Sequence, residues 1–266
     1  MNHLRRRGNS IFLVAVVTAV LCGPAIYLYR QPISWVLWQH FHLDSFAIIL
    51  NSSDANLAFN IGNYFFGEGG YDVVKAEQYI KRALAINDGI PEAHYQLARI
   101  YFIQSDFKNA LVEINKELAF SPYFYRSYYV RGLIYGYDAQ YDKAAADFKA
   151  YLIHNPTSWA AHNDLAWTYF SKGDYAGALA TARDGLTYAP HNPWLLNTLG
   201  AILLNEGRRT EAKQAFDSAL QTLRAMTPDD WGAAYPGNDP AIYTEGLSAM
   251  RASIERNLDL LNSGSG

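Results

Sequence analysis

An alanine recurs every 34 residues, at Ala76, Ala110, Ala144, Ala178 and Ala212. A second series of small residues accompanies it at Gly62, Ala98, Gly132, Ala166 and Gly200; the last four are again 34 apart, and the first lies 36 upstream of the second. Pro122, Pro156 and Pro190 form a third series with the same spacing. Three series sharing one period constrain the chain to an array of like units. Each unit is too small to bury its own apolar face, so stability comes from stacking on neighbours. The two extra residues of the first unit fit a longer turn around residues 67–70.

Each unit reads as two helices. In residues 91–122, His94, Leu97, Ala98 and Tyr101 fall at i, i+3, i+4 and i+7, which is one face of a helix. Ser105 and Asp106 make a turn. Ala110, Ile114, Glu117 and Leu118 then point back from a second helix. Small residues belong where two antiparallel helices approach closest, because a larger side chain there would overpack the contact. Proline closes the unit, since it lacks the N–H and its ring opposes helix continuation.

With these residues in place the chain resembles the tetratricopeptide-repeat (TPR) family. The five units are 55–90, 91–124, 125–158, 159–192 and 193–226, about two-thirds of the chain. The resemblance implies an all-α TPR α-solenoid, a right-handed superhelix of helix pairs. Arg131 stands where the family usually has leucine, Glu117 and Tyr151 replace a usual small residue, and the fifth unit lacks its proline. Residues 227–239, rich in Pro, Gly and Asp, are expected to form a loop. Asp239 as N-cap and Pro240 at the first helical position begin a helix over 240–261. Its stripe of Ile242, Leu247, Met250, Ile254, Leu258 and Leu261 suits a cap over the last open face. Residues 262–266 are expected to be a flexible tail.

The N-terminus is of another kind. Residues 1–10 are basic, with Arg5, Arg6 and Arg7, and residues 11–29 run uncharged. Such a run, helical at about 1.5 Å per residue, reaches about 28 Å, close to the ~30 Å of a hydrocarbon core. The arginines place the N-terminus in the cytoplasm and the remainder outside it. The expectation is a single-pass anchor in a bacterial plasma membrane, with the C-terminal domain extracytoplasmic. Tyr27, Tyr29, Trp35 and Trp38 would suit the far interface. Residues 30–54 are a juxtamembrane segment, lying on the membrane or packing against the first repeat. A cleaved signal peptide with small residues at Gly23 and Ala25 is the competing reading. A lipoprotein signal at Cys22 would be preceded by Val20 and Leu21, which are too large.

The net charge of −3 and the lack of a basic stripe argue against a nucleic-acid binder. One cysteine provides no disulfide framework and no CxxC pair. His40-x-His42-x-Asp44 resembles part of a metal motif, but i and i+2 on a helix point to different faces. His94 and His162 are equivalent repeat positions rather than a dyad, and contiguous His162, Asn163 and Asp164 cannot converge. Residues 67–70 lack the Lys-Ser/Thr of a phosphate loop. The chain is therefore not read as an enzyme, and no catalytic, cofactor or metal residues are assigned.

The resemblance implies that the first helices line a concave groove. Opposite the packing stripe lie Phe59, Asn63 and Phe66; Tyr95, Arg99 and Phe102; Tyr129, Leu133 and Gly136; Asn163, Trp167 and Phe170; and Asn197, Ala201 and Leu204. Tyr137 and Trp194 sit at its edges. Rings supply apolar area and amides pair with a peptide backbone. The family's carboxylate clamp needs lysines that these positions lack, so chaperone-tail recognition is not carried over. The expected function is a membrane-tethered scaffold that binds a protein or peptide partner, in envelope assembly or secretion. The alternative is a glycan-binding accessory of a polysaccharide or cell-wall system, with Tyr129, Trp167 and Trp194 as stacking platforms.

Overall fold

The computed structural model describes residues 27–67, 70–234 and 239–263. Among them every regular element is helical. Two short helices come first, α1 (Arg30–Phe41) and α2 (Asp44–Leu50). Five antiparallel pairs follow: α3 (Ala55–Phe66) with α4 (Val73–Ile86), α5 (Ala93–Ile103) with α6 (Phe107–Phe120), and α7 (Arg126–Tyr137) with α8 (Tyr141–His154). The last two pairs are α9 (Trp159–Lys172) with α10 (Tyr175–Tyr188), and α11 (Pro193–Asn205) with α12 (Arg209–Ala225). The chain ends in α13 (Pro228–Ala233), a 3-10 turn (Pro240–Ile242) and α14 (Tyr243–Ser263).

Local chemistry starts and stops these helices. Asp72, Asp106 and Asp174 cap α4, α6 and α10, each accepting from a backbone N–H three residues on. These aspartates also lie on the 34-residue period. Asp54, Ser158 and Asn192 cap α3, α9 and α11 in the same way. The turn before each of α6, α8, α10 and α12 holds one left-handed residue, at Ser105, Ala139, Gly173 and Gly207, again 34 apart. Without a proline to stop it, α12 runs 17 residues, against 14 for α10. Its exposed last carbonyls are then taken by Arg251, which donates to Leu223 and Met226.

Inside each pair, size is matched across the contact. All five alanines of the opening series are fully buried. A Cβ on Gly62 would meet Ile80 at 2.6 Å, on Gly132 Phe148 at 2.9 Å, and on Gly200 Phe216 at 2.6 Å. Where alanine replaces glycine, at Ala98 and Ala166, the residues equivalent to these are Ile114 and Ala182, in the same cores. Both phenylalanines, and Ile80, are met by glycine, whereas Ile114 and Ala182 face alanine.

The departures from the repeat pattern also have physical causes. Arg131 forms a bidentate pair with Asp147 at 2.7 and 2.8 Å and donates to Asn115 at 2.8 Å, so it bridges neighbouring repeats as a leucine could not. Burial opposes the charge, but the Asp147 hydrogen bond is the larger effect and raises the Arg131 pKa. The buried Glu117 carboxylate accepts from the backbone of Glu92 and Tyr95, so α6 caps the start of α5, its partner in the same repeat.

Three expectations need correction. Residues 227–239 hold the short helix α13, closed by a capping box in which Thr227 and Asp230 exchange side-chain and backbone bonds. Trp35 and Trp38 point into the protein, their Nε1 atoms donating to Asp54 at 3.0 Å and Asn60 at 2.6 Å. The helix foreseen from Pro240 begins as a 3-10 turn and is α-helical only from Tyr243. Among the described residues, no helix is long and apolar enough to cross a membrane. The span expected over 11–29 lies, up to residue 26, outside the described residues, as do residues 264–266 of the tail.

Candidate functional site: the concave face

Consecutive first helices touch one another along the solenoid, from α3 to α5, α5 to α7, α7 to α9 and α9 to α11. The helices that approach most closely lie on the inside of the curve, so α3, α5, α7, α9 and α11 form the concave wall.

Two hollows open on this wall. The first, about 530 Å³, lies between α1, α3 and α5 and is lined by Trp38, Asn60, Asn63, Phe66, Gln96 and Arg99. The second, about 300 Å³, is lined by Tyr95, Arg99, Phe102, Arg126, Tyr129, Leu133 and Tyr151, and Ala234 closes one side. Arg99 separates them. Its guanidinium lies 4.8 Å from the Phe66 ring and 5.6 Å from the Tyr95 ring and donates to Gln96. Burial between these rings, more than any charge nearby, lowers its pKa. The arrangement is a cation held in an aromatic clamp. Phe59 is half-buried in the first core cluster beneath this end.

Toward the fourth and fifth repeats the wall turns polar. Tyr129 Oη donates to Asp164 at 2.6 Å, and Thr198 Oγ1 donates to Asn163 at 2.8 Å. Both bonds join residues 35 apart and tie α7 to α9 and α9 to α11. Burial raises the Asp164 carboxyl to a pKa of about 6, against the opposing hydrogen bonds from Tyr129 and Asn163. At the two ends of the wall, Asn63 Oδ1 and Asn197 Oδ1 are buried and accept no hydrogen bond. A buried acceptor left so costs the full desolvation of its carbonyl, about 1–3 kcal/mol.

The expected groove residues therefore divide. Phe66, Arg99, Tyr95, Phe102 and Tyr129 come together around the two hollows, although Phe66 and Tyr95 are themselves buried. Tyr137 is exposed and packs edge-on to Phe102 at 5.2 Å. Trp167 is 51% exposed and stacks on Phe170 at 5.3 Å. Trp194 is only 9% exposed and stacks on Trp159 at 5.1 Å, so it belongs to the core of the last repeats. Asn163 is occupied by Thr198. Tyr151 and Asp164 reach this face and were not foreseen. Tyr151 comes from a second helix, its ring 5.2 Å from Tyr129.

Three histidines serve packing. His42 stacks on Tyr64, His94 pairs with Glu113 at 2.6 Å, and His162 stacks on Tyr188. Among the described residues no group of His, Cys, Asp or Glu is placed to hold a metal.

Models of the tetratricopeptide repeat family match residues 129–193 and 169–235. No curated protein matches the sequence. Solved structures do. MamA (41-end) from Desulfovibrio magneticus RS-1 superposes with a TM-score of 0.59 at 19% identity, over 65% of this chain and 96% of that one. PilW, described as a widely conserved type IV pilus biogenesis factor, gives 0.59 at 18% identity, over 79% and 94%. YrrB, described as a TPR protein with an unusual peptide-binding site, gives 0.55 at 17% identity, over 69% and 93%. At these identities the likeness is one of fold. Residues 129–235 carry TPR repeats, and the whole array has the architecture of an all-α TPR solenoid.

Proposed function

We propose that the chain is a membrane-tethered scaffold that holds an extended protein segment against its concave face, in the envelope assembly or secretion machinery of a bacterium. The observation that carries this reading is the pair of buried acceptors, Asn63 Oδ1 and Asn197 Oδ1, at opposite ends of a wall set with rings. A peptide backbone brings N–H groups to these acceptors once their half-buried side chains turn toward the groove, and the rings around Arg99 and Trp167 take its side chains. Water could satisfy one amide, but open acceptors at both ends of a wall set with rings suit an extended peptide. The peptide-binding site attributed to YrrB and the pilus role attributed to PilW agree with it.

The tether is the uncharged run over residues 11–29, with the solenoid outside the cytoplasm. Anchoring confines scaffold and partner to one surface, so modest groove affinity suffices. Of the three rings that a glycan platform would use, Trp194 is buried, which favours the peptide reading.

The test is selection from an arrayed peptide library with the full chain, compared with Trp167→Ala and with the double variant Asn63→Leu, Asn197→Leu. Peptides selected by the parent chain should lose at least about tenfold in affinity, or 1.4 kcal/mol, to each variant, with far-UV helicity unchanged. Undiminished binding by both variants would move the site off this face.

A further inference from the structure

The α1–α2 pair has two sides. One belongs to the protein: Trp35 and Trp38 bond to the first repeat, and Ala47 and Ile48 enter its core. The other carries Tyr29, Ile33 and Val36 at i, i+4 and i+7 along α1, Phe41 at its end, and Phe46 and Ile49 at i and i+3 along α2. All six are exposed, Phe46 by 64% and Ile49 by 77%. Arg30 and Asp44 are the only Arg, Lys, Asp or Glu in these two helices. Asp44 turns inward to Tyr79 and Lys75. A helix that is apolar on both sides belongs either inside a protein or in lipid.

The opposite end of the solenoid shows what a water-facing end requires. There α14 buries Leu247, Ile254 and Leu261 and leaves Glu245, Glu255, Arg256 and Asp259 exposed. Such a polar outer face keeps a terminal layer soluble. The first layer lacks it. Moreover, α1 starts at Arg30, the residue directly after the uncharged run 11–29, so no spacer separates that run from the apolar face.

We propose that the outer face of α1–α2 is seated in the headgroup–acyl boundary of a lipid bilayer, so that the solenoid stands on the membrane by its first layer instead of swinging from a linker. The proposal rests on the anchor reading given above. Its rings are of the kind enriched at that boundary, and an amphipathic face lies about 5–10 Å deep there. The hollow lined by Trp38, Asn63 and Arg99 is then held close to the bilayer, where a segment emerging from the same membrane meets it first.

The experiment uses the full chain with Cys22→Ser and one introduced cysteine, Ile49→Cys on this face or Ile153→Cys on the outside of α8. Each carries an environment-sensitive fluorophore, in vesicles of phosphatidylethanolamine and phosphatidylglycerol with or without nitroxide-labelled acyl chains. The label at position 49 should shift to the blue and lose most of its emission to the nitroxide lipid, while that at 153 does neither. A chain that floats with the vesicles yet keeps the position-49 label unquenched overturns the seating and leaves the anchor standing. A chain that does not float overturns the anchor and the seating with it. Shielding of position 49 only at high chain density, without lipid quenching, would assign the face to a second copy and also overturn the proposal.

Discussion

The Glu117 carboxylate accepts from the backbone nitrogens of Glu92 at 3.3 Å and Tyr95 at 3.2 Å, at a helix start whose own N-cap, Glu92, has φ 65° and makes no side-chain cap. Glu117→Ala strands these donors and should cost about 1–2 kcal/mol in urea unfolding, whereas Glu117→Gln, which keeps an acceptor, should cost less. Two other side chains set the pH dependence. Burial opposes the charge of both partners, but the Glu113 hydrogen bond together with the charges of Glu113 and Asp88 raises His94 above its ordinary 6.5, and the bonds and charges of His94 and Lys116 together hold Glu113 below 4.5. A raised histidine stabilises fully below 6.5 and loses its contribution as pH rises through the folded value. A lowered glutamate stabilises above 4.5 and loses its contribution as pH falls. The pair is thus fully effective between about 4.5 and 6.5. Asp164 works oppositely, because its raised pKa makes ionisation costly to the fold, a cost that sets in as pH rises through 3.8 and is complete above about 6. In unfolding curves across pH, Glu113→Gln should lose most in the first window, and Asp164→Asn should gain stability above pH 6.

At the scale of elements, the turn before α6, α8, α10 and α12 imposes a conformation that its residue does not always suit. Gly173 (φ 89°) and Gly207 (φ 74°) adopt the left-handed region freely, but Ala139 (φ 56°) occupies it against the clash of its Cβ. Ala139→Gly should therefore stabilise by up to about 1 kcal/mol, and Gly173→Ala should destabilise by a similar amount, both read from the urea midpoint. If both substitutions moved the midpoint the same way, the turns would not share one geometry. Much at this scale was legible in the sequence. The small-residue series located the helix contacts because a large residue of the partner helix, Ile80, Phe148 or Phe216, faces each glycine of the series. The aspartate caps obeyed the same period and could have been read from it. Helix α13 was less legible, because Pro, Gly and Asp also compose loops and only the reciprocal Thr227–Asp230 bonds decide between them. Asp164 and Tyr151 were missed for another reason. Their roles depend on Tyr129, a neighbour that the superhelix supplies and local spacing does not.

Across the whole molecule, periodicity gave the solenoid but could not say which groove positions remain open. Phe66, Tyr95 and Trp194 were expected on the groove beside Trp167, yet they are covered by neighbouring layers or by the C-terminal elements, whereas Trp167 is left bare. The layer at one end turns charges outward and the layer at the other turns out rings and aliphatic chains, so the two ends face different surroundings. Between them the concave wall runs from the aromatic clamp on Arg99 to the polar line through Asp164. The measurement that bears most directly on this account is photo-crosslinking in membranes, with a photoreactive phenylalanine at Phe102 or Trp167 on the concave wall and at Val112 or Ile153 on the exposed outside of α6 and α8. The account predicts a common partner adduct from both concave positions and none from the outer pair; adducts confined to Val112 and Ile153 would contradict it.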